Sequence, residues 1–309
     1  MGEETAIGDG QGKGDARKSV IKGAAWAALS SLLISLMHVL VRDVSQEVHP
    51  IVVVFFRNVV GFMILIPFLL RQDRSHWKSK QPKLQLIRAM FGVCALTTFF
   101  ISLSMVPVAD VTAIGFVTVL FITIGASLLL GEKVGVRRWT AIAVGFVGTM
   151  IIIRPGTDVF GPGAFIALAS TVFWACSMLC VKVLSRTDSS VTMVFYANVY
   201  FTAFSLIPAI IFWSWPTWEQ FALMTAIGVL AALGHLALAT ALRTTDATIV
   251  APLDYTRLLW AAGVGYLMFG EFPDIWTWVG GTVIFLSTVY ITYRESRRRP
   301  VTPTTQATS

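Results

Sequence analysis

Residues 23–58 read GAAWAALSSLLISLMHVLVRDVSQEVHPIVVVFFRN, and residues 163–198 read GAFIALASTVFWACSMLCVKVLSRTDSSVTMVFYAN. The two stretches align without a gap at an offset of 140, and 9 of 36 positions are identical. Further matches follow at offsets of 136 and 139, where Asp110 faces Asp246 and Gly131-Glu132 faces Gly270-Glu271. The sequence therefore predicts a duplicated unit of roughly 140 residues.

The composition places the chain in a membrane. Of its 309 residues, 55% are hydrophobic and 13% are charged, whereas soluble domains carry about 25% charged residues. Ten continuous apolar runs approach the ~20 residues that cross a bilayer as a helix. Because the runs do not alternate, we predict an all-α membrane protein with ten transmembrane helices and not a barrel. The runs are 21–41, 50–70, 84–106, 110–130, 136–153, 161–184, 190–213, 219–242, 248–270 and 275–293.

Basic residues are concentrated in alternate connections between these runs. Nineteen Lys and Arg residues lie in the tails and in the connections of one side, and only Arg42 and Arg154 lie on the other side. Since basic loops stay in the cytoplasm, both termini are predicted to be cytoplasmic. This bias accounts for most of the net charge of +7, so the lipid bilayer is the expected partner and nucleic acid is not.

The repeat and the topology together predict the domain organisation. A unit of five spans crosses the bilayer an odd number of times, so the second copy enters it upside down. We expect a disordered cytoplasmic tail at 1–19, a first five-helix repeat at 20–155, a second, inverted repeat at 156–294 and a cytoplasmic tail at 295–309. Inverted repeats are typical of secondary transporters, which open alternately to the two sides. The alternative is that duplication only built a stable bundle.

Three features carry a resemblance to a known superfamily. They are the pair Arg57-Asn58 in span two, the two Gly-Glu span ends, and the run APLDYTRLLW at 251–260 in span nine. Over residues 20–293 the chain resembles the drug/metabolite transporter superfamily, EamA type, and its pattern is most similar to the bacterial aromatic amino-acid exporters of the YddG group. The resemblance implies export of small metabolites. Span four lacks the proline often found there and span nine has Pro252, which argues against a matched pair of broken helices.

Span one carries a polar stripe. Ser31, Ser35 and His38 recur at helical spacing on one face, which fits either a cavity wall or contacts between helices. For His38 we favour the cavity, because the second copy has Met178 at this position and the duplicated scaffold does not require a histidine.

Two further candidates are adjacent in span two. Arg57 would cost roughly 2.5–3.5 kcal/mol at mid-depth in lipid, so it must be paired or face water. It fits a site for a substrate carboxylate or a salt bridge that holds span ends. Asn58 is matched by Asn198 in the second copy, and both are predicted to form hydrogen bonds between helices.

Four candidates lie in the second repeat. Trp174 and Tyr196 are aromatic residues within their spans and suit an apolar or aromatic substrate, although plain packing also explains them. His235 fits a cavity wall, a proton-sensitive group or a buried histidine that is bonded to a backbone carbonyl. Tyr255 follows Pro252, which frees a backbone carbonyl, and such backbone is tolerated at membrane depth where it lines a cavity.

Other charged residues are predicted to be structural or interfacial. Asp254 and Arg257 lie three residues apart and form a self-neutralising pair. Asp110 and Asp246 precede spans four and nine as helix N-caps. The two span-end glutamates, Glu132 and Glu271, are predicted to be interfacial carboxylates at opposite membrane faces.

The sequence contains no G-x-x-x-x-G-K-[ST], no H-E-x-x-H and no Cys/His metal cluster, so no ATP hydrolysis, cofactor, metal or enzyme activity is predicted. The driving force is then a substrate gradient or a coupled ion. Few buried acids are available for proton coupling, and Asp254 is the main one, so we favour uniport.

We therefore predict an inner-membrane exporter of amino acids, aromatic ones first, or of related small metabolites, which works by alternating access around a central cavity. The alternatives are an exporter of drugs or other metabolites on the same fold, an intramembrane enzyme and a channel. A phosphate substrate is disfavoured, because Arg57 and Arg257 are not matched across the repeat. The oligomeric state is left open, since Gly280-Gly281 fits a dimer contact or simple packing. The cavity candidates are His38, Arg57, Asn58, Trp174, Tyr196, His235 and Tyr255.

Overall fold

The computed structural model describes the backbone at residues 4–70, 78–129, 131, 136–154, 161–245, 250 and 253–296. Helices satisfy their backbone hydrogen bonds internally, as apolar runs in hydrocarbon require. The helices are α1 (Glu4–Val44), α2 (Pro50–Leu70), α3 (Pro82–Met105), α4 (Val108–Gly115), α5 (Thr118–Leu129), α6 (Val136–Ile153), α7 (Pro162–Leu184), α8 (Ser190–Ile211), α9 (Trp218–Thr244), α10 (Thr256–Phe269) and α11 (Ile275–Ser296).

Seven helical segments are long and apolar enough to cross a membrane, judged by length and composition. Two further segments, Trp139–Ile153 in α6 and Ile275–Tyr290 in α11, are apolar but shorter, and α10 has 14 residues. The prediction of an all-helical membrane protein is confirmed, while three of the ten predicted spans are shorter than a full crossing in the described residues. The seven long segments are Val20–Val44, Pro50–Pro67, Pro82–Met105, Val108–Leu129, Pro162–Leu184, Ser190–Ile211 and Trp218–Thr244.

The backbone of α1 is helical from Glu4, where the sequence predicts a disordered tail up to residue 19. Helix formation here requires only local hydrogen bonds, but residue propensity does not explain it, because the segment contains Gly8, Gly10, Gly12 and Gly14. The apolar part of α1 begins at Val20.

Helices of the two halves of the chain pack against each other and form one interleaved bundle. α1 packs along α9, and the Ser30 hydroxyl donates to the Gly234 carbonyl at 2.8 Å. α3 packs along α7, and the Ser102 hydroxyl donates to the Gly163 carbonyl at 2.9 Å. In addition, α2 contacts α8 and α6 contacts α11. Most of the buried apolar side chains therefore belong to one cluster that both halves build.

A charged network closes the face at which α1 ends, which we call the distal face. Arg42 donates to the carbonyls of Leu103 and Val106 at the end of α3, and it forms an ion pair with Glu271 beyond α10. Its guanidinium carbon also lies 5.3 Å from the centre of the Phe269 ring. One side chain of α1 thus joins both halves of the chain at the distal face.

The opposite face, where the apolar part of α1 starts, is the proximal face. Gly23 at this end of α1 lies against Thr245, which follows α9. By contrast, Gly163 at the start of α7 lies against Val106, the residue that Arg42 contacts. α7 therefore begins at the face where α1 ends.

Two of the predicted spans are interrupted. Span four divides into α4 and α5 at Phe116 and Val117, and span nine is interrupted at Tyr255, directly before α10. In both places an N–H bonds the carbonyl three residues earlier, from Val119 to Phe116 at 3.4 Å and from Leu258 to Tyr255 at 3.0 Å. These residue pairs differ by 139, the offset of the Gly-Glu repeat, so the breaks occupy equivalent positions.

The expectation that the two spans would not form a matched pair of broken helices is wrong. Span four has no proline at its break, but the tight turn keeps the backbone donors bonded and the Phe116 side chain is buried. Packing thus interrupts this helix without a residue that forbids helix formation. Pro252 lies outside the described residues, as does Glu132.

Asp110 is not a helix N-cap. α4 begins at Val108 after the cap residue Pro107, which places Asp110 inside the first turn. Its buried carboxylate accepts a hydrogen bond from the Thr277 hydroxyl at 2.5 Å and so links α4 to α11. Asp246, the second predicted cap, lies outside the described residues.

Asp188 ties the turn after α7 to the segment before α3 at the proximal face. Its carboxylate accepts hydrogen bonds from the Ser79 hydroxyl, from the Lys80 N–H at 2.9 Å and from the Gln85 amide at 2.9 Å. Burial opposes ionisation of this carboxyl, but the hydrogen bonds outweigh it, so the pKa of Asp188 lies below its ordinary value.

The depressed pKa of Asp188 predicts how stability depends on pH. The ionised carboxylate stabilises the fold above the pKa of the unfolded state, about 3.9, and this contribution is lost as pH falls through the lower folded-state pKa. Asp188→Asn should cost about 1–3 kcal/mol at pH 7, and Ser79→Ala should cost less. Thermal unfolding in detergent measures both. The curves of wild type and Asp188→Asn should converge below pH 4, and a constant gap down to pH 3 would contradict this account.

The close contact of α6 and α11 predicts a steric effect. A Cβ added at Gly280 would lie 2.5 Å from the Gly148 carbonyl oxygen, so Gly280→Ala should force the helices apart and cost about 1–3 kcal/mol. Gly61→Ala is the matched control, because a Cβ at Gly61 meets nothing within 4 Å and alanine favours a helix by about 1 kcal/mol. Melting temperatures should fall for the first variant and not for the second; equal shifts would refute the close contact.

Candidate functional site

The two broken helices meet through their aromatic residues. The Phe116 and Tyr255 rings stack with their centres 4.0 Å apart and their planes 27° apart. Phe285 on α11 packs edge-on against Tyr255 at 4.6 Å. The Tyr255 hydroxyl is buried beside the Thr288 hydroxyl, close enough for the two to interact. Aromatic surface and buried hydroxyl groups thus occur together at the breaks.

Arg57 is held by neutral groups. Its Nη1 donates to Asn58 Oδ1 at 3.0 Å, and its Nη2 donates to His235 Nε2 at 3.0 Å. Because a guanidinium cannot accept a hydrogen bond, Nε2 of His235 must be the acceptor in this contact, and the ring is the neutral Nδ1–H tautomer. The Arg57 Nε has no partner in the described part of the chain. The Arg57 side chain is partly accessible, and that of His235 is exposed.

Asn58 anchors this arrangement to the second half of the chain. Its amide nitrogen donates to the Phe201 carbonyl at 3.4 Å and to the Ser205 hydroxyl at 3.3 Å, both on α8. Asn198, its repeat counterpart, donates to the Val194 carbonyl of its own helix at 2.8 Å. The predicted bonding between helices is therefore confirmed for Asn58 and wrong for Asn198, whose amide satisfies itself locally.

His38 lies close to the same group of cations. It is 6% exposed, its ring centre lies 4.9 Å from that of Phe99, and its Nδ1 has no partner among the described residues. The charges of Arg57 and Arg257 both act on His38 and on His235. The two arginines thus act on the same two histidines, although their positions are unmatched in the repeat.

The serines of the α1 stripe serve packing. Ser31 donates to the Leu253 carbonyl at 3.3 Å, and Ser35 donates to the Arg257 carbonyl at 2.9 Å. These carbonyls flank the break at Tyr255, so α1 satisfies part of the backbone of the interrupted span.

One prediction about charges near the site is confirmed. The Arg257 guanidinium donates to Asp254 in an ion pair three residues apart. Glu271 lies after α10 at the distal face, where it pairs with Arg42.

The remaining two candidates are Tyr196 and Trp174, which have different neighbours. Tyr196 on α8 continues in an aromatic row, with its ring centre 5.5 Å from that of Tyr200. Trp174 on α7 is half-buried. In the part of the chain that the structure describes, no hydrogen bond or ring contact joins either side chain to Arg57, His235 or Tyr255.

Sequence reasoning missed Phe116 and Phe99. Phe116 carried a signal, because it is the counterpart of Tyr255 at the offset of 139 that the Gly-Glu pairs define. Phe99 is the counterpart of His235 and contacts His38, which nothing in the sequence indicates.

Known proteins resemble this chain along most of its length. The riboflavin transporter of Vibrio cholerae serotype O1 is 31% identical over 283 residues, which cover 90% of this chain and 95% of that protein. The S-adenosylmethionine uptake transporter of Rickettsia prowazekii is 28% identical, with 92% and 96% covered. The pseudopaline exporter CntI of Pseudomonas aeruginosa is 28% identical, with 86% and 94% covered.

A solved crystal structure has a similar fold, with a TM-score of 0.55 and 16% sequence identity over 92% of this chain and 99% of that chain. The sequence profile of the EamA-like transporter family matches the chain twice, at residues 21–154 and at residues 161–293. Because these two matches cover nearly all of the sequence, the protein belongs to the EamA-like transporter family.

Proposed function

We propose that the protein is a carrier that exports amino acids, aromatic ones first, or related small metabolites across the bacterial inner membrane by alternating access. The observation that carries this proposal is the meeting of two repeat-equivalent helix breaks at Phe116 and Tyr255. In carriers built from inverted repeats, discontinuous helices form the substrate site between the two units. Here the breaks lie beside buried hydroxyl groups, which a transported molecule can bind.

The helix packing supports two inverted five-helix units at 20–155 and 156–294. In the proposed repeat, α1 corresponds to α7 and α3 corresponds to α9, so the pairs α1 with α9 and α7 with α3 are equivalent. The pairs α2 with α8 and α6 with α11 each join a helix to its own counterpart. A two-fold relation between the units produces this pattern. The start of α7 at the face where α1 ends agrees with inversion, and the basic residues favour cytoplasmic termini at the proximal face.

The charged residues at the helix ends suggest how the two faces alternate. Arg42 and Glu271 join α1 to the end of α10 at the distal face. Their repeat counterparts are Lys182, in the last turn of α7, and Glu132, which lies outside the described residues. We infer that the Arg42 network must open when the cavity opens to the distal side, and that Lys182 belongs to the corresponding closure of the proximal side.

The rings around the breaks favour substrates with a planar group. Phe116, Tyr255, Phe285 and Phe99 offer apolar faces, and aromatic stacking contributes about 0.5–1.5 kcal/mol beyond area burial. The names of the relatives agree with planar rings as one option, since riboflavin and S-adenosylmethionine both contain heteroaromatic rings. The names of the relatives include both uptake and export, so the proposed export direction rests on the resemblance to bacterial aromatic amino-acid exporters. A related metabolite with a larger ring system is the second candidate that these relatives favour.

The transport proposal predicts counterflow. Liposomes that contain the protein and are loaded with unlabelled phenylalanine should accumulate labelled phenylalanine without ATP, and Phe116→Ala should reduce the rate by about tenfold, which corresponds to ~1.4 kcal/mol. Leucine, riboflavin and a phosphorylated sugar are compared as substrates, and protein-free liposomes are the control. Exchange of the sugar phosphate without exchange of phenylalanine or riboflavin would overturn the substrate class.

The gate proposal predicts a change in accessibility. In a chain with its three cysteines replaced, Thr112→Cys places a thiol one turn inside α4 at the distal face, where the wild-type residue is buried. Adding Arg42→Ala should raise its labelling by an impermeant maleimide from the distal side about tenfold, the equivalent of ~1.4 kcal/mol. Arg154→Ala is the matched control, because it removes a distal ion pair to Asp274 at the edge of the bundle. Equal labelling of all three proteins would contradict the gate.

A further inference from the structure

Arg57 differs from the other arginines near the spans in its partners. Arg42, Arg154 and Arg257 each pair with a carboxylate, from Glu271, Asp274 and Asp254 respectively. Arg88 donates to the Met193 carbonyl and to Gln85, which itself binds Asp188. Among the described residues, no carboxylate lies within ion-pair distance of Arg57, and its two partners, Asn58 and His235, are neutral.

A charge at this position is not needed by the fold. The repeat counterpart of Arg57 is Ala197, so the same place in the second unit is built without a cation. An unpaired arginine within an apolar span is costly and is retained where it serves a function. With no acid beside it among the described residues, Arg57 is suited to an anion that comes from outside the chain.

The geometry of the guanidinium indicates which anion it accepts. Nε and Nη2 lie on the same edge of the group, and this edge can give two parallel hydrogen bonds to a carboxylate. Nε has no partner, and Nη2 is bonded only to the neutral ring of the exposed His235. Nη1 is held from the other side by Asn58, which is fixed to α8. The edge is thus oriented before a ligand arrives. Because Nε is shielded from solvent, a ligand reaches this edge only by displacing His235 from Nη2.

We propose that the Nε and Nη2 edge of Arg57 binds a carboxylate of the transported molecule, which displaces His235 from Nη2. A carboxylate fits better than a phosphate dianion, because the second nearby arginine, Arg257, is already neutralised by Asp254. This inference rests on the proposed function and narrows it: amino acids carry the carboxylate that this edge binds, whereas a metabolite without a carboxylate, such as riboflavin, would not use it. It also assigns His235 as the neutral group that a carboxylate exchanges with at Nη2.

The test compares an acid with its neutral isostere. 3-Phenylpropionate and 3-phenylpropionamide have the same size and ring and differ in the group that meets Arg57. In the wild-type protein the acid should compete in phenylalanine counterflow at a concentration at least about tenfold lower than the amide, and it should raise the melting temperature of the detergent-solubilised protein, which the amide should not. Equal competition or equal stabilisation by the two compounds would overturn the subsite.

Variants locate the effect at Arg57. Arg57→Gln should abolish the preference for the acid. His235→Phe, which installs the residue type of its repeat counterpart Phe99, should retain the preference, because His235 only occupies the Nε and Nη2 edge of Arg57. Arg88→Gln is the matched control and should retain the preference. Since melting shifts need no transport, they also distinguish the two proposals: stabilisation by the acid alone with no counterflow of any compound would sustain the subsite and overturn the carrier. Retention of the preference in Arg57→Gln would overturn the subsite.

Discussion

The contact of Phe116 with Tyr255 is the constraint on which the rest of the bundle depends. A helix that is interrupted at membrane depth leaves backbone groups without their usual partners, and lipid cannot satisfy them. Breaks are therefore tolerated only where protein surrounds them. Here the Phe116 ring of one break stacks on the Tyr255 ring of the other, and Phe285 packs edge-on against Tyr255. α4 is buried along almost its whole length, whereas α10 buries one face and exposes the other through Leu259 and Leu267.

Hydrogen bonds from α1 complete the support of the second break. Ser31 and Ser35 donate to carbonyls on either side of Tyr255, and Thr256 donates to the Leu253 carbonyl at 2.7 Å. From the sequence alone, Ser31 and Ser35 fitted either a cavity wall or contacts between helices. They act as contacts, because their hydroxyls donate to the Leu253 and Arg257 carbonyls of the neighbouring span. The polar stripe on α1 thus faces the span that is interrupted at Tyr255.

The parts of the structure that the sequence predicts are those that follow from local patterns. Apolar runs predict the helices, and the duplicated stretch predicts equivalent positions in the two units, because both signals are carried by residue type and spacing. The break at Phe116 has only a weak local signal, Gly115, which directly precedes it, and the Phe116 ring packs against a residue 139 positions away. The bond from Arg57 to His235 joins residues 178 positions apart. Such pairings depend on how helices cross, which one sequence does not specify.

The equivalent contacts of the two units differ, and this difference bears on the carrier we propose. Ser31 and Ser35 bond α1 to the interrupted span beside it, whereas their counterparts in α7 are Thr171, which donates to the Leu168 carbonyl of its own helix, and Ala175, which has no donor. The duplicated scaffold offers two similar arrangements, but side-chain bonds favour the one in which the α1 side is tied to α10. A ligand shifts such an equilibrium only by its difference in affinity for the two states. Arg57 is well suited to provide that difference, because its counterpart Ala197 carries no charge and an anion bound at its edge acts on one unit alone.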